Sequence, residues 1–216
     1  MKDQADRLRE IIDNLKRNQI INNNNYVNSR KKTNSARIIT ITSGKGGVGK
    51  TNVAVNMSIA LSNIGYKVAL IDADLGLANI LHYDIDIMET LSEGPGGIKF
   101  ISGGSGVEEL VKLNKEQLEK FISNIEILDN YFDIILIDTG AGLSDNVLSF
   151  VMASAEVIIV TTPDPTAITD AYALIKIISS RDRNKDVKII VNRAESIKEA
   201  NDVLDKLAFV SNRFYH

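Results

Sequence analysis

Cysteine is absent from the 216 residues. That excludes a disulfide framework, a thiolate metal site and an iron–sulfur cluster held by cysteine. Histidine is scarce. His82 and His216 are the two in the chain, and a pair so far apart offers no metal-ligand spacing. No apolar run approaches the roughly 18 residues of a membrane span, and the first residues carry no signal-peptide core. Internal repeats are missing too. These absences lead us to expect a cytoplasmic protein. What remains is the composition of a soluble globular chain, 44% hydrophobic and 25% charged, long enough for one good core.

The formal net charge of −3 conceals an asymmetry. Residues 1–37 hold nine Lys/Arg against four Asp/Glu, a net +5, which leaves 16 against 24, a net −8, for the rest. A basic arm precedes an acidic body. Within the arm, "KDQADRLREIIDNLKR" places Ala5, Leu8, Ile11, Ile12 and Leu15 at helical spacing, with charges between them. A helix this short is marginal by itself and needs a surface to pack on. The following asparagine-rich stretch, with Arg30, Lys31 and Lys32, lacks apolar periodicity and reads as a solvated linker. The expected division is a helix over 1–17, a linker over 18–36 and a folded domain over 37–216.

From Arg37 onward, short apolar runs rich in Ile and Val recur: "RIITIT" (37–42), "KVALID" (67–72), "FDIILID" (132–138), "EVIIVTT" (156–162) and "DVKIIVN" (186–192), with a weaker "IKFIS" (98–102). Such runs mark strands buried on both faces of a parallel sheet. Helical stretches separate them, at about 50–64, 115–128, 144–154, 166–180 and 196–210 by their apolar spacing. In the second of these, Leu118, Phe121, Ile122, Ile125 and Leu128 form one apolar stripe. Tyr131 and Phe132 read as core residues. The alternation predicts a three-layer α/β domain, a mostly parallel sheet flanked by helices, with its ligand beyond the carboxyl ends of the strands.

The stretch "GKGGVGKT", residues 44–51, follows the first strand and opens the first helix. That context makes G-x-x-x-x-G-K-[ST] credible as a phosphate-binding loop. Gly44 and Gly49 frame it, with Lys45, Gly46, Gly47 and Val48 between them. Glycines permit close backbone approach, so amide N–H groups can surround phosphate oxygens at a helix N-terminus, where Asn52 also lies. Lys50 is placed to reach the β- and γ-phosphates of ATP, and the Thr51 hydroxyl to ligate Mg²⁺. The plainer alternative is a glycine turn with solvated lysines.

Three carboxylates fit the same site. "IDAD" ends the second strand with Asp72 and Asp74 two residues apart, facing one side of an extended chain and suited to Mg²⁺ or to water positioning. "IILIDTGAG" ends an apolar strand in Asp138, in the manner of an acid that holds the Mg²⁺ shell from the far side. Its "TGAG" reads as a flexible turn able to sense a γ-phosphate. A helix N-cap for Asp138, and plain surface acids for Asp72 and Asp74, are the alternatives.

Together "KGGVGKT", "DADLGLAN", "DTGAGL" and "TTPDPTAITDAY" resemble the deviant Walker A ATPases of the MinD/ParA group, P-loop NTPases with a MinD-like fold. "GPGGIKFISGGSG" and the N-terminal "DQADRLR" are similar to the FlhG (FleN, YlxH) subgroup of flagellar-number regulators. The likeness covers most of residues 2–213. It implies that Lys45 is the family's signature lysine, reaching across an ATP-bound homodimer to the partner's phosphates. A cation supplied in trans in this way can contribute roughly 10³–10⁵ in rate. It further implies a catalytic set of Lys45, Lys50 and Asp74, the last as the water-positioning acid, and a metal set of Thr51, Asp72 and Asp138. Asn192 is implied to contact adenine, for which its amide can both donate and accept, with Arg193 lining that pocket. A turn residue is the alternative for Asn192. The N-terminal segment, with Asp3, Gln4, Ala5, Leu8 and Arg9, is implied to bind and stimulate the SRP-type GTPase FlhF. A helix packed on its own domain is the alternative. Flagellar switch or C-ring proteins are a further implied partner class.

The sequence departs from that pattern in two places. "LGLANILHYDIDIMETLSEGPGG" is short where the subgroup carries an additional strand and helix, and the chain stops at "SNRFYH", ahead of the subgroup's amphipathic membrane helix. Weak membrane binding or none is therefore expected, with recruitment to the membrane or cell pole left open. Three readings result: an ATP-driven switch of the FlhG type, a nucleotide-binding module with impaired hydrolysis, and a ParA-type partition ATPase that binds DNA. The last needs a basic surface. The body is acidic, and "SIKEANDVLDKLAF" carries no basic stripe, so DNA is the disfavoured partner.

Overall fold

The computed structural model describes residues 35–74, 87–101 and 115–212. The expected N-terminal helix, the linker as far as Asn34, the stretch after Asp74 and both histidines lie outside the described residues. The elements run in the order β1 (Arg37–Ser43), α1 (Lys50–Asn63), β2 (Val68–Asp72), a 3₁₀ turn (Ile87–Thr90), β3 (Ser92–Glu93), a 3₁₀ turn (Pro95–Gly97), β4 (Lys99–Ile101), α2 (Lys115–Asp129), β5 (Ile134–Ala141), α3 (Asp145–Ala153), β6 (Glu156–Thr161), α4 (Pro165–Arg181), β7 (Asp186–Val191) and α5 (Ile197–Asn212).

Among the described residues the strands form one seven-stranded sheet in the order β3-β4-β2-β5-β1-β6-β7. Every pairing is parallel except the short β3 against β4. β1 therefore lies between β5 and β6, with its successor β2 beyond β5 on one side and β6 on the other. That reversal of direction is where open α/β sheets leave a crevice at their carboxyl ends.

The strand chemistry follows position. β1, β5 and β6 are buried along nearly their whole length, so both faces must be apolar. β7 is the edge strand and keeps every residue at least partly accessible. Its Lys188 bonds to Glu156 and Asp186 instead of packing. On one face Ile39, Ile41, Leu70, Leu136, Ile158 and Val160 pack with Val48, just before α1, and Ala54 in it. On the other, Ile38, Ala69, Ile135 and Ile137 pack against Phe121, Ile125 and Leu128 of α2 and Phe150 of α3. The rings of Phe121 and Phe150 meet edge to face with centroids 4.9 Å apart, a geometry favoured by the ring quadrupole. A third cluster joins Val157 and Ile159 to residues of α3, α4 and α5. The three-layer α/β expectation holds.

Two local expectations are corrected. Tyr131 is half exposed, while Phe132 is buried and packs in the cluster of Phe121, Ile125 and Leu128. "TGAG" is not a free turn. β5 continues through Thr139 and Gly140 to Ala141, which pairs with Ser43, and Gly142 N–H donates to the Ser43 carbonyl. The domain is also anchored slightly before Arg37. Ala36 is buried, its N–H donates to the Asp129 carboxylate, and the Ser35 hydroxyl donates to the same group.

Candidate functional site

The loop 44–49 joins β1 to α1 and lies over the crevice. Gly49 is the residue before α1 and sits in the left-handed region, at φ 95°. That conformation suits glycine alone among ordinary residues. No side chain caps α1, so the N–H groups of its first turn are left for a ligand. An open cleft of about 280 Å³ is lined by Ser43, Gly46, Gly47, Gly49, Lys50, Thr51, Asn52, Asp74, Ala141 and Arg193. A side chain added at Gly46 or Gly47 would meet nothing within 4 Å, so the loop is open toward the cleft. Gly44 is different. A Cβ there would strike the backbone of Asp170, so this glycine serves the close approach of the loop to α4.

The two lysines of the loop part company. Lys50 is 7% exposed and its Nζ donates to Asp138 Oδ1 at 2.9 Å. Asp138 is itself 3% exposed. An ion pair so far from water needs close geometry to offset the loss of hydration, and the 2.9 Å contact supplies it. The helix-cap alternative for Asp138 falls away, because α3 is capped by the Ser144 hydroxyl, which accepts from Val147 N–H. Lys45 does not line the cleft. Its Nζ donates to Asp164 Oδ2 at 2.7 Å and to the Thr166 hydroxyl. The Lys45 ammonium, together with Thr166 N–H, holds the Asp164 carboxyl below its usual range.

Asp72 and Asp138 stand side by side in the β2–β5 register. Asp74 lies just past β2, and its N–H donates to Asp72 Oδ1 at 3.0 Å. Its carboxylate rests on Gly140. A Cβ at Gly140 would come within 2.7 Å of Asp74 Oδ1. So Asp74 reaches the cleft while Asp72 orients it from behind. Asn192 follows β7. Its N–H continues the ladder to the Thr161 carbonyl, its Nδ2 donates to the Val48 carbonyl at 2.8 Å, and its Oδ1 accepts from Arg193 N–H. Val48 itself is buried, in the cluster that holds Ile39 and Ala54. Asp164, Thr166, Ser43 and Ala141 were missed in the sequence. Asp164 carried a signal, since Asp followed by Pro is a helix-start pattern.

The donors facing the cleft are backbone N–H groups and a lysine for anionic oxygens. Thr51 and Asp74 add a hydroxyl and a carboxylate. Oxygen donors with room for water are the set a hard cation such as Mg²⁺ accepts, so the residues present fit a nucleotide–Mg²⁺ ligand. Among the described residues no cluster of three His, Cys, Asp or Glu could hold a metal ion.

Residues 39–216 match the family described as CobQ/CobB/MinD/ParA nucleotide binding domain. The antiactivator FleN of Pseudomonas aeruginosa is 37% identical over 193 residues, spanning 82% of this chain and 69% of that protein. The flagellum site-determining protein YlxH of Helicobacter pylori is 40% identical over 225 residues, spanning 96% and 72%. The septum site-determining protein MinD of Pyrococcus horikoshii, solved with Mg-ADP, superposes with a TM-score of 0.61 at 28% identity, covering 78% of this chain and 77% of that one. The chain belongs to the CobQ/CobB/MinD/ParA family of P-loop nucleotide-binding proteins, with FleN and YlxH among its relatives.

Proposed function

We propose that the protein is an ATP-dependent dimerising switch that hydrolyses ATP to ADP and phosphate and regulates flagellar number or placement. The observation that carries this reading is the division of labour between the loop lysines. Lys50 lines the chain's own cleft, while Lys45 is turned out of it, 40% exposed at its side chain and beside α4. A cation held outside its own phosphate site is suited to a phosphate brought by a second copy. When bound, Mg²⁺ would offset charge on the β- and γ-phosphates, held by Thr51 with Asp72 and Asp138 behind it. Asp74 orients the attacking water from above Gly140. The likeness to FleN and YlxH supports the flagellar role. Through it we also propose FlhF as a partner, bound by the segment containing Asp3, Gln4, Ala5, Leu8 and Arg9, with flagellar switch proteins as a further class. We propose a cytoplasmic location with recruitment to the membrane or pole. No helix among the described residues is long and apolar enough to cross a membrane.

The test is the mass in solution with Mg²⁺ and ADP, then with Mg²⁺ and a nonhydrolysable ATP analogue, with phosphate release measured alongside. Dimer with the analogue alone, and turnover with ATP, is the expected result. Binding of both nucleotides to a permanent monomer without turnover would replace the switch by a nucleotide-binding module.

A further inference from the structure

Asn192 sits where the cleft meets the end of β7, and its amide is engaged at both ends. Nδ2 donates to the Val48 carbonyl at 2.8 Å, and Oδ1 accepts from Arg193 N–H at 3.0 Å. The two neighbours fix the orientation of the amide. Turned over, it would set an oxygen against a carbonyl and an N–H₂ against an N–H. Its nitrogen also fills the space beside Gly49, where any Cβ would strike it. The second framing glycine of the loop is therefore required twice, by its φ of 95° and by the amide lying against it. On the other side, Arg193 has φ 58°, the one positive value of a non-glycine residue among the described residues. Such a backbone persists where neighbours over-determine it, and the bond to Asn192 Oδ1 is one of the restraints. Arg193 lines the cleft.

We infer that Asn192 is a positioning residue for the phosphate loop: it holds the Val48 carbonyl, and with it Gly49, in the form that receives phosphate, while setting Arg193 at the cleft. This rests on the nucleotide-site reading above and goes beyond a base contact. An amide has two N–H donors and two acceptor lone pairs. One of each is engaged with the protein, and one of each remains for a base edge. The same side chain then joins the end of the site that would read the base to the loop that would bind phosphate. Loop geometry is set before any nucleotide arrives.

A ligand without a base separates this role from base recognition. Binding of Mg²⁺–tripolyphosphate and of Mg²⁺–ATP is measured by calorimetry for the native chain, Asn192→Ala and Asn192→Ser. Amide exchange of residues 46–51 is followed without ligand, and thermal melting confirms that each variant folds. Losing one structural hydrogen bond predicts that tripolyphosphate and ATP both weaken by about 3- to 10-fold, with faster exchange in the loop of both variants. Weaker ATP with unchanged tripolyphosphate and unchanged exchange would overturn the inference and leave Asn192 a base contact. Unchanged binding of both ligands would overturn it as well. If the native chain binds neither ligand, the nucleotide reading fails, and the exchange measurement still decides whether the tether exists.

Discussion

Two buried carboxylates stand at opposite ends of the same sheet. Asp138 lies in the carboxyl half of β5, level with the end of β2, and Glu156 is the first residue of β6, and they are 3% and 4% exposed. Glu156 is enclosed by cations. Arg37 binds both of its oxygens, with Nη2 to Oε2 at 2.6 Å, and Lys188 Nζ reaches Oε2 at 2.7 Å. Arg37 is the chief reason its carboxyl is held at about 2, and Arg37 is raised in turn. Asp138 holds one cation, Lys50, and that cation lines an open cleft. The same pair chemistry therefore gives two results. Where the ion pair is closed off by further partners it fastens β1, β6 and β7 at their amino ends. Where it faces a glycine loop, the ammonium keeps donors for a ligand.

The sharpest break in that comparison is Lys50→Ala. It removes a charge-assisted donor to phosphate, and nucleotide affinity should fall by about 100-fold or more. It also leaves Asp138 buried and uncompensated, which should cost about 3–5 kcal/mol of stability. Joint replacement by Lys50→Met and Asp138→Leu should restore much of that stability without restoring binding. Calorimetry and denaturant unfolding of the two variants read the two effects separately. A double variant that bound nucleotide would remove Lys50 from the phosphate site.

Glu156→Gln tests the other end. Its folded pKa of about 2 lies below its ordinary value of 4.5, so the charged form is the one that folding favours. Its contribution is fully present above about pH 4.5 and is lost as pH falls through about 2. The native chain should therefore lose melting temperature more steeply than Glu156→Gln between those values, and the curves should run parallel above them. Nucleotide affinity at neutral pH should change by less than about two-fold, since the site lies at the other end of the strands. Parallel curves throughout would mean that Arg37 and Lys188 do not hold the carboxylate in solution.

The two ends were not equally legible in the sequence. The loop 44–51 could be read because its glycines and lysine are contiguous and sit between a strand and a helix, and the apolar runs of β2 and β5 meet acids, Asp72 and Asp138, at the same level of the sheet. The Arg37–Glu156–Lys188 network could not be read. Its members are 119 and 32 residues apart, and strand order alone brings β1, β6 and β7 together. The pairing of Asn192 with Val48, 144 residues apart, was hidden for the same reason. Periodicity found the long strands and all five helices among the described residues, whereas β3, two exposed residues at the far edge, has too little apolar pattern to register. The inward turn of Phe132 but not Tyr131 is set in the connection from α2 to β5, where both N–H groups donate to the Leu128 carbonyl and no apolar period runs long enough to assign a face.

The smallest expected effect bears on the lysine that leaves its own cleft. Asp164 precedes α4 and does two things. Its Oδ1 accepts from Thr166 N–H at 3.0 Å, and its Oδ2 takes Lys45 Nζ at 2.7 Å. Asp164→Asn keeps a capping oxygen and removes the charge, so α4 stays capped while Lys45 loses its ion pair and keeps only the Thr166 hydroxyl. The pair is exposed, and exposed pairs hold weakly. If Lys45 must leave Asp164 to reach the phosphate of a second copy, the ATP-analogue dimer of Asp164→Asn should form at a protein concentration about two- to five-fold lower. ADP binding and melting temperature should be unchanged. A dimer that forms at higher concentration would mean the reverse, that Asp164 aims Lys45 across the interface and travels with it. Lys45→Ala tells the two apart. Combined with Asp164→Asn it should erase the gain in the first case, because the gain is then carried by the freed ammonium.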